Sequence, residues 1–179
     1  GEECLSLSDF VKPCGTDYVG AFAVTAGRGI EEIISGYQQT DDFKALLYQS
    51  LSDRLAEAAT ELLHARVRRD IWGYAPDEWI DCQRALRAQY RGIRPAAGYP
   101  SLPDQSAIFA IEKIVGFANV GIAVTPNGAM SPASSVSGLM IAHPASRYFM
   151  IGAIAPDQRH DYAARRGITE EELSKWLPK

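Results

Sequence analysis

Residues 41–72, DDFKALLYQSLSDRLAEAATELLHARVRRDIW, decide the architecture. Asp41-Asp42 offers an N-cap and a negative first turn. Phe43, Leu47, Leu51, Leu55, Ala58 and Leu62 then recur at three- and four-residue steps, forming one apolar stripe of the kind that packs on a core. Arg66, Arg68 and Arg69 fall where the helix dipole is negative, and Gly73 and Pro76 stop the helix. A single helix from Asp42 to about Trp72 is expected.

Working outward, Tyr18 to Thr25 (YVGAFAVT) reads as a buried strand ended by Ala26-Gly27, and Ile30 to Tyr37 as a short helix. Downstream, Asp77 to about Tyr90 and Ser106 to about Phe117 carry helical patterns. Ile122 to Thr125, Ser134 to Ile141 and Tyr148 to Ile154 read as strands. Pro156-Asp157 opens a helix that Gly167 ends, and Thr169 with Glu172 makes a capping box for a last helix through Trp176. The expected fold is α+β: a single domain spanning residues 1–179, with a mainly antiparallel twisted sheet packed by several helices, one of them long.

The bulk properties exclude several function classes. The chain has 179 residues, 46% hydrophobic and 22% charged, which suits one globular domain. A net charge of −4 provides no basic footprint for nucleic acid. No apolar run is long enough to span a bilayer and no leader pattern precedes the first elements, so a cytoplasmic protein is expected. Cys4, Cys14 and Cys82 show no C-x-x-C spacing, so each is expected to be a small buried or half-buried residue rather than a ligand. His64, His143 and His160 are scattered without metal-ligand spacing. The abrupt start at Gly1-Glu-Glu-Cys reads as the edge of an excised piece of a longer protein.

Between the second pair of helices lies Arg91-Gly-Ile-Arg-Pro-Ala-Ala-Gly-Tyr-Pro-Ser101, too rich in Pro and Gly for regular helix or central strand. Arg94 offers a planar fork suited to a carboxylate. Pro95 and Pro100 limit the entropy lost on ordering, and Ala96, Ala97 and Gly98 allow close approach of main chain to a flat ligand. Tyr99 either packs on a ligand or anchors the loop in the core. The same composition also describes a rigid surface loop with a solvated arginine.

The loop resembles the RPAPGYP segment of the activation domain of cobalamin-dependent methionine synthase. Further segments match that family in order. Leu5-Ser-Leu-Ser-Asp-Phe10 is similar to its C-L-A-D-F stretch, and Asp17-Tyr-Val-Gly-Ala-Phe-Ala-Val-Thr25 to its D-Y-I-G-A-F-A-V-T strand. Ser52-Asp-Arg-Leu-Ala-Glu-Ala58, Glu61, Leu63-His64, Arg66 and Arg68-Arg69 follow its long helix, with Trp72-Gly-Tyr-Ala75 after it. Ser135-Val-Ser-Gly138, Ser146-Arg-Tyr-Phe149, Asp157-Gln158, Asp161-Tyr-Ala163 and Trp176-Leu177 complete a resemblance that covers almost the whole chain.

The resemblance implies binding of S-adenosylmethionine and its presentation to cob(II)alamin carried by the cobalamin-binding domain of the same enzyme. One electron from a flavodoxin or flavin reductase, with the sulfonium methyl group, would regenerate methylcobalamin and return the methyltransferase to methionine biosynthesis. It further implies that Arg94 binds the ligand's carboxylate, Ala96 and Gly98 give backbone contacts, and Tyr99, Tyr148 and Phe149 lie beside the ligand. Tyr148 and Phe149 also fit alternate faces of a strand. Glu57 and His64 share a helix face and become candidate contacts to the cobalamin domain, or else a solvated polar face. Glu61 with its neighbours fits local ion pairs. No catalytic nucleophile, general base or metal ligand is implied.

Three departures matter. The family's module extends upstream and supplies an aspartate for the ligand's ammonium, a role Asp9 does not take. Gln105-Ser106 stands for a His-Thr pair, and Pro126-Asn127 for Glu-Ser, where Pro126 would break a strand or force an edge. The fragment alone is therefore expected to be inactive. An alternative follows: a docking module for a corrinoid or flavodoxin-type partner that has lost S-adenosylmethionine binding.

Overall fold

The computed structural model describes residues 4–177. The elements are β1 (Gly20–Thr25), α1 (Ile30–Gln38), α2 (Asp42–Arg66), α3 (Cys82–Leu86), α4 (Ala107–Val115), β2 (Ala123–Val124), β3 (Met130–Ser131), β4 (Ser135–Met140), α5 (Pro156–Arg166) and α6 (Glu170–Leu173). β1 and β4 pair antiparallel, from Gly20 opposite Met140 to Thr25 opposite Ser135. On the other side of β4, Ile93 bridges Ile141 and Leu139 N–H donates to the Pro95 carbonyl at 2.9 Å. The entry to the Pro-Gly loop therefore runs as an extra edge of the sheet. β2 and β3 form a second, short antiparallel pair. The α+β arrangement is the expected one.

α4 lies on one face of the main sheet. Its Ile108 and Ile111 join Phe117 and Ile122 in a cluster against Ala21, Ala23 and Leu139. α2 also contacts both strands of this sheet, and its core-facing side is made of Ala45, Ser52, Ala56, Thr60 and His64, all buried. Small side chains there let the helix axis approach closely; Ser52 Oγ donates to the Ala26 carbonyl at 3.0 Å. Asp41 caps the helix as expected, accepting from Lys44 N–H at 3.0 Å. At the far end the ladder widens into a π turn at Val67–Ile71, with Trp72 N–H donating to the Val67 carbonyl. That extra residue turns Arg68 into the interior, where it is 2% exposed.

Several expectations need correction. The apolar stripe on α2 faces outward: Phe43 is 75% exposed and Leu51 and Leu55 are each 52% exposed. The helix expected over 77–90 shrinks to Cys82–Leu86. The reason is Glu78, whose carboxylate is committed to Arg68 Nε and to Arg91 N–H and so holds the preceding chain irregular. The strand expected over 148–154 is extended chain without a ladder. Its main-chain bonds at Phe149 go instead to Ser101 Oγ, which donates to the Phe149 carbonyl and accepts from its N–H. All three cysteines are exposed, because they sit in irregular chain before β1 or at the start of α3, outside the apolar clusters. Pro126 lies in the β2–β3 turn, which Thr125 closes by accepting from Gly128 N–H. Among the described residues no helix is long and apolar enough to cross a membrane.

Candidate functional site

The Pro-Gly loop is an ordered wall. Pro95 and Ala96 press against β4 at Gly138, where an added Cβ would stand 2.4 Å from the Pro95 carbonyl oxygen. Gly98 has φ +83°, and a Cβ there would meet Gln105 Oε1 at 2.0 Å. Gln105 in turn donates to the Gly128 carbonyl at 2.7 Å, linking the loop to the β2–β3 turn. Opposite, Ser101 pins the 148–150 segment as described, and Tyr148 Oη accepts from Arg94 N–H at 3.0 Å. These surfaces enclose a groove of about 560 Å³, within the range of small-ligand sites.

Six of the eight candidate residues line this groove: Glu57, Arg94, Ala96, Tyr99, Tyr148 and Phe149. Phe149 also packs its ring 6.2 Å from that of Phe10, while Tyr148 stays half exposed, so the two do alternate. Tyr99 sits at the mouth, 64% exposed. Gly98 does not line the groove; it supports the loop from behind.

His64 is the clearest correction. Expected as a docking contact or a solvated side chain, it is fully buried beneath Arg94. Arg94 Nη1 lies 3.2 Å from His64 Nδ1 and donates to Tyr90 Oη at 2.6 Å, while Nη2 donates to Glu61 Oε2 at 2.6 Å. A guanidinium only donates, so Nδ1 must be the acceptor and the imidazole proton resides on Nε2, which donates to Tyr74 Oη at 3.3 Å. Burial first, then the Arg68 and Arg94 cations, depress the His64 pKa to about 3, keeping it neutral. Arg68 stacks on the Tyr90 ring, 4.3 Å from its centre. Burial and the neighbouring Tyr148 raise the Tyr90 pKa, so its hydroxyl remains protonated. Arg94 is thereby fixed in one rotamer, its fork braced from three sides.

Glu61 corrects a second expectation. It is no local helix partner but reaches Arg94, and its Oε1 is buried without a hydrogen-bond partner. Sequence reasoning passed over Tyr90 and Phe22 and did not assign the β4 wall of Ser135, Val136 and Ser137 to the site. The S-V-S-G segment was a usable signal for that wall; nothing in the sequence marks Tyr90.

A family model described as "Vitamin B12 dependent methionine synthase, activation domain" matches residues 1–167. Among solved structures, one described as "Crystal Structure of the MetH Reactivation Domain bound to AdoHcy" superposes with a TM-score of 0.91 at 40% sequence identity. The match covers 95% of this chain and 54% of that one, so this chain spans about half of its length.

Proposed function

Because the chain belongs to the vitamin B12 dependent methionine synthase activation domain family, we propose that its groove binds S-adenosylmethionine and presents the methyl group to cob(II)alamin carried by another domain. The observation that carries this reading is the braced Arg94 fork at the wall of a groove with the right size and an apolar floor. Held by His64, Tyr90 and Glu61, the Arg94 guanidinium would meet the ligand's carboxylate at the groove wall. The ligand described for the similar solved domain, AdoHcy, is the same molecule without the methyl group.

The roles then follow from placement. Ala96 would meet the ligand through its backbone, and Tyr148 and Phe149 would form the opposing wall. Glu57 and Tyr99, at the exposed mouth, would face the incoming cobalamin domain and exclude water around the sulfonium. The corrinoid of that partner supplies the methyl-accepting centre, and a flavodoxin or flavin reductase the electron. This chain contributes binding and orientation, with no nucleophile or proton transfer required of it.

Titration calorimetry with S-adenosylhomocysteine tests the reading. Arg94→Ala should weaken binding at least about tenfold, since hydrogen bonds to charged groups contribute roughly 1.5–3 kcal/mol. Equal affinities would remove Arg94 from the site. No binding by the unsubstituted protein would favour the docking-module reading, in which Glu61 already occupies the guanidinium.

A further inference from the structure

The carboxylate of Glu61 is bonded through one oxygen only. Oε2 accepts from Arg94 Nη2 at 2.6 Å, while Oε1 is buried with no hydrogen-bond partner among the described residues. A buried carboxylate oxygen without a donor is unfavourable, and folded proteins keep few of them. This one lies beside the groove. Glu57 lines the groove, and Glu61 follows four residues later on the same face of α2. The two members of the ion pair are held very differently. Arg94 Nη1 is fixed by His64 and Tyr90, and its main-chain N–H by Tyr148. Among the described residues the Glu61 carboxylate has the single bond to Nη2, and its side chain is 30% exposed. Glu61 is therefore the member that yields.

An α-amino acid end carries a carboxylate and an ammonium on one carbon. A carboxylate arriving alone at Arg94 would share the guanidinium with Glu61, and two like charges at that distance repel. An ammonium arriving with it removes the conflict by standing between the two acids. We propose that the amino acid end of the ligand inserts into the Arg94–Glu61 pair: its carboxylate takes over Arg94 Nη2, and its ammonium donates to Glu61 and fills the empty Oε1. Guanidinium, carboxylate, ammonium and carboxylate then alternate in sign, and the site gains no net charge. The pair thereby selects ligands with a free amino acid end and rejects acids that lack the amine. Glu61 becomes the specificity residue for the amino group, a contact separate from the aspartate that the family resemblance implies. The inference rests on the proposed binding of S-adenosylmethionine and adds a second polar contact to it.

Three ligands separate the contacts by calorimetry. S-adenosylhomocysteine carries both groups, its desamino analogue keeps the carboxylate and lacks the amine, and 5′-methylthioadenosine has neither. In the unsubstituted protein S-adenosylhomocysteine should bind at least about tenfold more tightly than the desamino analogue, the effect of one charge-assisted hydrogen bond. The desamino analogue should bind no more tightly than 5′-methylthioadenosine, because its carboxylate meets Glu61 without a cation between them. Glu61→Gln should narrow the first ratio to under about threefold, weakening S-adenosylhomocysteine, strengthening the desamino analogue and leaving 5′-methylthioadenosine unchanged. A desamino analogue that binds as tightly as S-adenosylhomocysteine would overturn the insertion and leave the Arg94 contact standing. A ratio unmoved by Glu61→Gln, or an equal loss for all three ligands, would overturn it as well. Absence of S-adenosylhomocysteine binding would remove the insertion and the ligand reading together. The ranking in unsubstituted protein needs no variant, so it decides the matter even where Glu61→Gln fails to fold.

Discussion

Two arginines in this molecule are held by the same three groups, a carboxylate, a tyrosine and a polar neighbour, with opposite outcomes. Arg166 donates to Asp104 Oδ2 at 2.7 Å and to Ser106 Oγ at 2.9 Å, and Tyr162 Oη donates to the same Asp104 oxygen at 2.7 Å. Ser106 N–H and Oγ satisfy Asp104 Oδ1. Here the acid is the buried partner, at 3% exposure, and every acceptor is used. In the other cluster the arginine is the more buried member, at 17%, and Glu61 keeps an unpartnered oxygen. The closed cluster fastens α5 to the start of α4. The open cluster borders a groove and leaves an acceptor, Glu61 Oε1, unused. Satisfied valence marks the structural arginine, and the residual valence marks the candidate ligand site.

Breaking the closed cluster should have the largest effect. Asp104→Ala leaves Tyr162 and Ser106 without their acceptor and Arg166, itself 35% exposed, without its counter-ion, an expected loss of about 2–3 kcal/mol. Urea denaturation reads this directly, and a loss under about 1 kcal/mol would show that the two clusters do not differ as described.

The open cluster should reveal itself through pH. His64 is neutral when folded, with its pKa depressed from 6.5 to about 3, so between those values the unfolded chain binds a proton that the folded chain does not. Stability must therefore fall as pH drops from 6.5 towards 3 and be flat above about 7. At 1.36 kcal/mol per unit, the loss between pH 7 and pH 5 is about 2 kcal/mol. His64→Gln should flatten that segment of the profile, and an unaltered slope would place the titration elsewhere. Smaller still, Glu61→Gln should change stability by under about 1 kcal/mol, because its pair with Arg94 is partly solvated.

Much of this was legible in the sequence wherever a local signal is self-sufficient. Asp41, Pro156, Gly167 and Thr169 mark helix ends through their own side chains or backbone, and the structure places those ends within a residue or two. The Arg94 to Pro100 loop was legible as a motif and is ordered by contacts to Gly138 and Gln105. What escaped depends on partners distant in sequence. Periodicity shows that α2 has an apolar face but not what that face meets. Residues 148–154 have strand composition, yet a strand exists only where a second edge accepts it. His64 is buried by Arg94, 30 residues on, and Tyr90 by Arg68 and His64, links that no spacing rule encodes.

Recognition of the ligand's amino-acid carboxylate by Arg94 is tested most directly by a cycle of two ligands and two proteins. S-adenosylhomocysteine and 5′-methylthioadenosine, which lacks the amino-acid carboxylate, are titrated into unsubstituted protein and Arg94→Ala. The expected result is a preference for S-adenosylhomocysteine of at least about tenfold that collapses in Arg94→Ala, while the affinity for 5′-methylthioadenosine stays unchanged. A preference that survives the substitution, or an equal loss for both ligands, would contradict it.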